Sequence, residues 1–370
     1  MNLEKLSDRE LLEYKRTLEY DISKYHNFQL VRKVQLNSAY GALGNEWFRF
    51  YSTDLAEAIT LSGQLSIQWI GIKVNELLNN VIGKENVDYV IASDTDSIYL
   101  NLNDAVNKFS AGKSKKEKID YIDNISEKII LPFIKKQCEE LASTMNAYEN
   151  RIFMSREVIA DKGVWTAKKR YMLNVWDSEG VRYDKAKQKI MGIETTRSST
   201  PEVVRNKLKT AISIVLNESE NELIEFVESF KKEFFKLDPE LIAFPRSVNG
   251  LEKYKDSQKI YKKSTPIAVK AALLYNHYID QYKLNKKYPK IIEGEKIKFI
   301  FLKKPNPISG SVGEDCVIGF LSKIPNEFDI HDFIDYNTQF EKSFLDPLKS
   351  IMESIGWSHE RKNTLESLFI

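Results

Sequence analysis

The chain has 370 residues, 42% hydrophobic and 11% aromatic, which is enough for two or three domains of ~150 residues and too apolar for a disordered tail. Lys and Arg number 55 against 53 Asp and Glu, so the formal net charge of +2 marks neither a uniformly basic nucleic-acid coat nor an acidic solvating protein. Gly 15 and Pro 10 exclude collagen-like and low-complexity chains, and Cys138 and Cys316, far apart and without CxxC or a nearby His pair, signal neither a disulfide framework nor a zinc knuckle.

Acidic and basic residues mix at the N-terminus, where no secretory signal is read. No apolar run approaches ~18 residues, so no membrane span is expected, and the two cysteines fit a reducing interior. Ser7-Asp8-Arg9-Glu10 forms a capping box, with Leu6 and Leu11 placed for a hydrophobic staple, so a helix is expected from near Asp8. It runs to about Tyr40 without Gly or Pro, a rod of up to ~50 Å. Its apolar residues, among them Leu12, Leu18, Ile22, Tyr25, Val31 and Val34, need a cover, and the expectation is that this stretch sits inside a larger fold.

A second helical pattern spans about Thr53 to Asn79. Val87–Ala92 and Ser97–Leu102 read as strands joined by Ser93-Asp94-Thr95-Asp96, a hairpin. After the polar loop 111–116 a helix is expected to about Asn146, then two strands between Ile152 and Arg182 packing beside the hairpin. From Thr200 onward the pattern is mainly helical, with strand runs at Lys298–Leu302 and Cys316–Phe320.

Charge is polarised along the chain. Glu218 to Glu240 carries eight acids and three Lys, whereas Gly250 to Lys304 carries fourteen Lys and five acids. The basic stretch interleaves Tyr254, Tyr261, Tyr275, Tyr278, Tyr282 and Tyr288 with its lysines, which suits a phosphate backbone and equally suits a solvated lysine face over core tyrosines.

Asp94 and Asp96 at a hairpin tip offer hard oxygen ligands of the kind that hold Mg²⁺ or Mn²⁺, although Asp is also simply a turn residue. In phosphoryl and nucleotidyl transfer such ions activate the attacking hydroxyl and stabilise the leaving oxygen. Lys33, Asn37, Tyr40 and Gly41, at i, i+4, i+7 and i+8, share one helix face, where a lysine can meet a triphosphate and Asn and Tyr a sugar or base pair.

Taken with the Asp94-Thr95-Asp96-Ser97 hairpin, this face resembles the fingers and palm motifs of the family B DNA polymerases. The resemblance sharpens to the replicative polymerases of the T-even phage type through Asn37–Asn45, Gly63-Gln64 with Gln68-Trp69-Ile70, Lys168-Lys169-Arg170-Tyr171, Lys189–Gly192 with Glu194-Thr195, Ser198–Pro201 and the tail Thr364–Phe369, in order and spacing over essentially the whole chain.

The resemblance implies an α+β fold with a long fingers helix, an antiparallel palm sheet with flanking helices and a mostly helical thumb. The expected divisions are 1–45 fingers, 46–200 palm and 201–370 thumb, with the catalytic hairpin at 87–102 and primer-gripping strands at 152–183. Asp96 would be the principal metal ligand with Asp94 beside it, and Glu157 a nearby palm carboxylate; Ser155 stands where phage relatives carry Asp. Lys33 would hold the incoming dNTP, with Asn37, Tyr40 and Gly41 lining the nascent base pair. Lys168, Lys169, Arg170 and Tyr171 would grip the primer terminus and Lys270 would meet DNA, while Ala268 replaces a polar residue there. Leu365, Leu368 and Phe369, in 364–370, would dock on a sliding clamp, the alternative being a frayed tail or residues that cap a core.

The family's other palm carboxylate, in a motif Asp-x-x-Ser-Leu-Tyr-Pro, is absent, as are the first fingers helix and the 3′→5′ exonuclease. The implied protein is a C-terminal subunit of a naturally split DNA-directed DNA polymerase, active on primer–template DNA with two Mg²⁺ ions shared with an Asp of an N-terminal partner chain. Met1 followed by an orderly capping box favours that over an arbitrary fragment, and a phage-infected bacterial cytoplasm is the expected setting. The alternative is a non-catalytic accessory protein that binds DNA and the clamp. A glycosyltransferase using Asp-x-Asp would need Rossmann-like alternation before the hairpin, which is not found.

Overall fold

The computed structural model describes residues 6–308 and 316–359, which fall into two compact units, Met1–Arg156 and Glu157–Ile370. The first unit opens with helix α1 (Asp8–Leu43), started by the expected capping box: the Glu10 amide donates to Ser7 Oγ, and the Glu10 carboxylate accepts from the Ser7 amide. The expected end at Tyr40 is passed by three residues. None of its residues is buried, and Ile22, Tyr25 and Leu36 are all more than 60% exposed. An α-helix this long with no covered face has little to hold it beyond propensity and its own hydrogen bonds.

Helix α2 (Thr53–Ile82) is capped by Ser52 and closed by Gly83, whose φ of +75° suits a residue without Cβ. Only its C-terminal half packs: Ile70, Val74, Leu78 and Ile82, at successive i+4 positions, enter a core with Tyr89, Ala105, Ile130, Ile134 and Cys138. Strands β1 (Val90–Asp94) and β2 (Ser97–Leu100) form the expected antiparallel hairpin, bulged between Val90 and Ala92. Its residues are only partly buried, less than the apolar runs imply. Helices α3 (Asn103–Phe109) and α4 (Lys115–Ile125) follow, and α4 continues through a π-helical turn at Ser126–Ile130 into α5 (Leu131–Thr144). The Trp69 indole donates to the Gln137 carbonyl at 3.1 Å, fixing α2 to α5.

In the second unit the two strands expected between Ile152 and Arg182 are three: β3 (Val158–Ala167), β4 (Arg170–Ser178) and β5 (Val181–Met191) make an antiparallel meander of their own. The extra strand is the Lys-rich run 181–191, whose exposed outer face masked its strand character. Helices α6 (Glu202–Asn217), α7 (Glu220–Phe234) and α8 (Pro239–Ile242) lead to β6 (Phe244–Ser247), α9 (Leu251–Tyr254), the two-residue strands β7 (Lys255–Asp256) and β8 (Ile260–Tyr261), and α10 (Ile267–Gln281). Strands β9 (Lys296–Phe301) and β10 (Val317–Phe320), both expected, pair with β6 in the order β10-β9-β6. Helix α11 (Tyr336–Phe340) passes through a second π-helical turn, Glu341–Leu345, into α12 (Asp346–Ser354).

The core of this unit is aromatic: the Phe230 ring lies 4.8 Å from Phe344, 5.7 Å from Phe340 and 5.8 Å from Phe234, centroid to centroid. Tyr261, Tyr275 and Tyr278 are buried, so in the lysine-rich stretch these three tyrosines serve packing while most of the lysines are exposed. Ala268 is also a core residue, packed with Phe244, Phe299 and Phe301. Cys138 and Cys316 are buried and free. Among the described residues, no helix is long and apolar enough to cross a membrane. The mixed α+β class is as expected, and the tail 364–370 lies outside the described residues.

Candidate active site

The Asp94/Asp96 hairpin is held from below by two asparagines of α2. Asn79 accepts from the Val87 amide at 3.1 Å and donates to the Val87 carbonyl at 2.8 Å. One turn earlier Asn75 accepts from the Tyr89 amide and donates to Asp88 Oδ1, both at 2.8 Å. Two side-chain amides thus stand in for a neighbouring strand and aim residues 87–89 into β1. Tyr89 is the buried anchor; burial pushes its phenol pKa up, and the Asp104 carboxylate, 3.5 Å from its hydroxyl, adds to this. Asn75 and Asn79 were not among the residues singled out from sequence, although an i, i+4 Asn pair in a helix interior is itself a signal, since Asn is a poor helix former there.

At the tip, Asp94 pairs with Ser97 across the turn and Thr95 adopts φ +56°, an outlier for a β-branched residue. Thr95 Oγ1 donates to Asp94 Oδ1 at 3.0 Å, Ser97 Oγ to the Asp94 carbonyl at 3.2 Å, and the Asp96 amide to the same carbonyl at 2.7 Å. Asp94 is half-buried, while the Asp96 carboxylate is exposed and takes no partner among the described residues. Two carboxylates on one tight turn offer oxygen donors that suit a hard divalent cation, but no group of three or more His, Cys, Asp or Glu that could hold a metal occurs among the described residues. The donor set fits the metal in kind and needs further ligands to be complete.

Lys33, Asn37, Tyr40 and Gly41 lie exposed on α1, on the face their spacing predicts. Gly41 has nothing within 4 Å of where a Cβ would stand, so packing does not require its glycine.

In the second unit Lys168 and Lys169 form the exposed turn between β3 and β4, Lys169 at φ +61°. Tyr171 is buried and stacks on Trp165, its cross-strand partner, with centroids 6.0 Å apart. Register pairs Tyr171 with Met191, which brings the Lys168–Tyr171 and Lys189–Thr195 motifs onto adjacent strands. Arg170 reaches Glu194 at 2.8 Å, and Arg197 lies 3.6 Å from the same carboxylate. Glu157, exposed, pairs with Lys189 at 3.4 Å. Lys270 lies half-buried with its ammonium 5.2 Å from the Tyr261 ring centroid.

Residues 7–127 match the family model of DNA polymerase family B. The chain is 36% identical over 92% of its length to the DNA-directed DNA polymerase of Enterobacteria phage T4 and 38% identical over 92% to that of Escherichia phage RB69. It is 24% identical over 98% of its length to a DNA polymerase of Methanocaldococcus jannaschii. It spans 38% of the length of each phage relative, a share consistent with a C-terminal part. Residues 7–127 are thus similar to the DNA polymerase family B domain, and the chain is similar over nearly its whole length to these two phage DNA-directed DNA polymerases.

Proposed function

We propose that this chain supplies the second fingers helix (1–45), the palm (46–200) and the thumb (201–370) of a DNA-directed DNA polymerase completed by an N-terminal chain. The observation that carries this is the Asp94/Asp96 tip: a strained, amide-braced turn that leaves the Asp96 carboxylate unpartnered among the described residues. The relatives' names and the 38% coverage support it. So does α1, most of whose apolar side chains are exposed among the described residues and would be met by the first fingers helix of the partner.

Asp96, assisted by Asp94, would hold Mg²⁺ together with an Asp of the partner. When bound, two such ions lower the barrier to attack of the primer 3′-OH on the α-phosphate of a dNTP by activating the hydroxyl and stabilising the leaving oxygen. Lys33 would bind the triphosphate as a point charge, with Asn37, Tyr40 and Gly41 forming the wall against the nascent pair. Lys168 and Lys169 would neutralise primer phosphates, Arg170 would hold the Glu194 side of that turn in place, and Tyr171 would brace it from inside. Glu157 would serve as a further palm carboxylate, Lys270 as a thumb contact to DNA, and Leu365, Leu368 and Phe369 as a peptide for a sliding clamp. The setting would be the cytoplasm of a phage-infected bacterium.

Primer extension with and without the N-terminal chain tests this. Extension is expected only from the pair, and Asp96→Ala is expected to abolish it while the two chains still assemble. Robust extension by this chain alone would refute the shared site, and a fully active Asp96→Ala pair would refute the metal-ligand role.

A further inference from the structure

The loop after β5, strand β6 and the π-helical turn Glu341–Leu345 enclose a cleft of about 360 Å³ within the second unit. Arg170, Arg197, Arg246 and Lys342 line it against only two carboxylates, Glu194 and Asp346. Glu194 is already engaged by Arg170 and Arg197, and Asp346 forms no ion pair among the described residues. Arg246 therefore has no acid partner among the described residues. Its Nη1 donates to the carbonyls of Ser199 at 2.6 Å and Pro245 at 3.1 Å, and its guanidinium lies 5.8 Å from the Phe244 ring centroid. Burial pushes its pKa down, and the charge of Arg197 nearby pushes the same way. Lys342, at the exposed rim, meets only an aromatic face among the described residues, 5.7 Å from the Phe301 centroid.

A partly buried cation without a counter-ion is unfavourable unless something of opposite charge visits it. A second observation points the same way. Ser343, in the cleft wall and 1% exposed, has a buried Oγ with no hydrogen-bond partner among the described residues. It and Lys342 are carried by the π-helical turn, an irregularity that in helices is frequent at functional sites.

We propose that this cleft binds an oxyanion of the phosphate class, whose charge pairs with Arg246 and Lys342 and whose oxygens offer Ser343 an acceptor. The chemistry is the same for a phosphodiester of a DNA strand and for a free phosphate or pyrophosphate ion; the DNA source rests on the polymerase function proposed above, and the free-ion source does not.

The full chain, titrated calorimetrically with inorganic phosphate, pyrophosphate and a short DNA duplex, tests the site. Saturable binding of at least one probe is expected, weakened at least tenfold in Arg246→Gln and in Lys342→Gln and partly restored in Arg246→Lys. If both free ions fail and only the duplex is weakened, the ligand is a DNA phosphate; if the ions bind, it is the free oxyanion. Should Arg246→Gln fail to fold, Lys342→Gln, whose side chain makes no hydrogen bond or ion pair among the described residues, decides alone. Absence of saturable binding by every probe, or affinities unchanged in variants that melt like the parent, overturns the site. Failure of the duplex to bind while an ion binds would count against the polymerase function and leave the oxyanion site standing.

Discussion

Gly192 lies so close beneath Lys169 that a Cβ on it would stand 2.1 Å from the Lys169 carbonyl oxygen, and its own φ is +68°. The β3–β4 turn that carries Lys168 and Lys169 therefore rests on a glycine at the end of β5. Gly192→Ala must either hold the left-handed region at a cost of ~1–2 kcal/mol or shift the backbone out of it, and must also push that carbonyl away. A loss of about 2–4 kcal/mol is expected in denaturant unfolding; if the chain acts in the proposed two-chain polymerase, primer extension by that pair should also fall at least tenfold because the turn shifts. A variant as stable and active as the parent would show that the turn does not depend on this contact.

Asn79 makes two hydrogen bonds to the backbone of Val87, which has no other strand beside it. Asn79→Ala leaves a donor and an acceptor unmet, so a loss of ~1–3 kcal/mol is expected. Extension should fall more than stability accounts for, since the tip carrying Asp96 loses its brace; measuring both on the same preparation separates the two effects.

Gly41→Ala behaves oppositely. With open space around the position and a helical backbone, alanine should leave the fold intact or stabilise α1 by ~0.5–1 kcal/mol. If Gly41 lines the nascent base pair, the KM for dNTP should nonetheless rise, by an order of magnitude in steady-state extension. An unchanged KM would remove Gly41 from the nucleotide site.

Tyr275 is 2% exposed, its hydroxyl donates to the Pro289 carbonyl at 3.2 Å, and burial pushes its pKa up to about 12. The native state keeps a proton that the unfolded chain releases from about pH 10. Stability is therefore full below about pH 10, falls as pH rises through about 12, and levels off beyond. Urea unfolding at about pH 9 and about pH 11 should show a smaller decline in Tyr275→Phe than in the parent, at the cost of the Pro289 hydrogen bond.

Local signals in the sequence were strong where a single stretch decides. The Ser7–Glu10 capping box started α1 at Asp8, and the acidic turn between apolar runs placed the hairpin, because caps and two-residue turns depend on a few neighbouring dihedrals. The third strand of the meander was missed, since β5 buries no residue fully and reads as a polar lysine-rich run.

From the sequence by itself came the α+β class, the start of α1, the carboxylate pair at the hairpin and the ordered motifs that tie the chain to family B polymerases. Tertiary structure alone decided that the Lys168–Tyr171 and Lys189–Thr195 motifs are neighbours through the pairing of Tyr171 with Met191 and the Arg170–Glu194 ion pair. It alone sorted the tyrosines of the basic stretch into core and surface, and brought Arg246 to one cleft with the adjacent Lys342 and Ser343, far away in sequence. The physical reason is range: caps, turns and helical faces are set by residues three or four apart, whereas strand register, burial and the charge balance of a cleft depend on contacts that close only when the chain is folded.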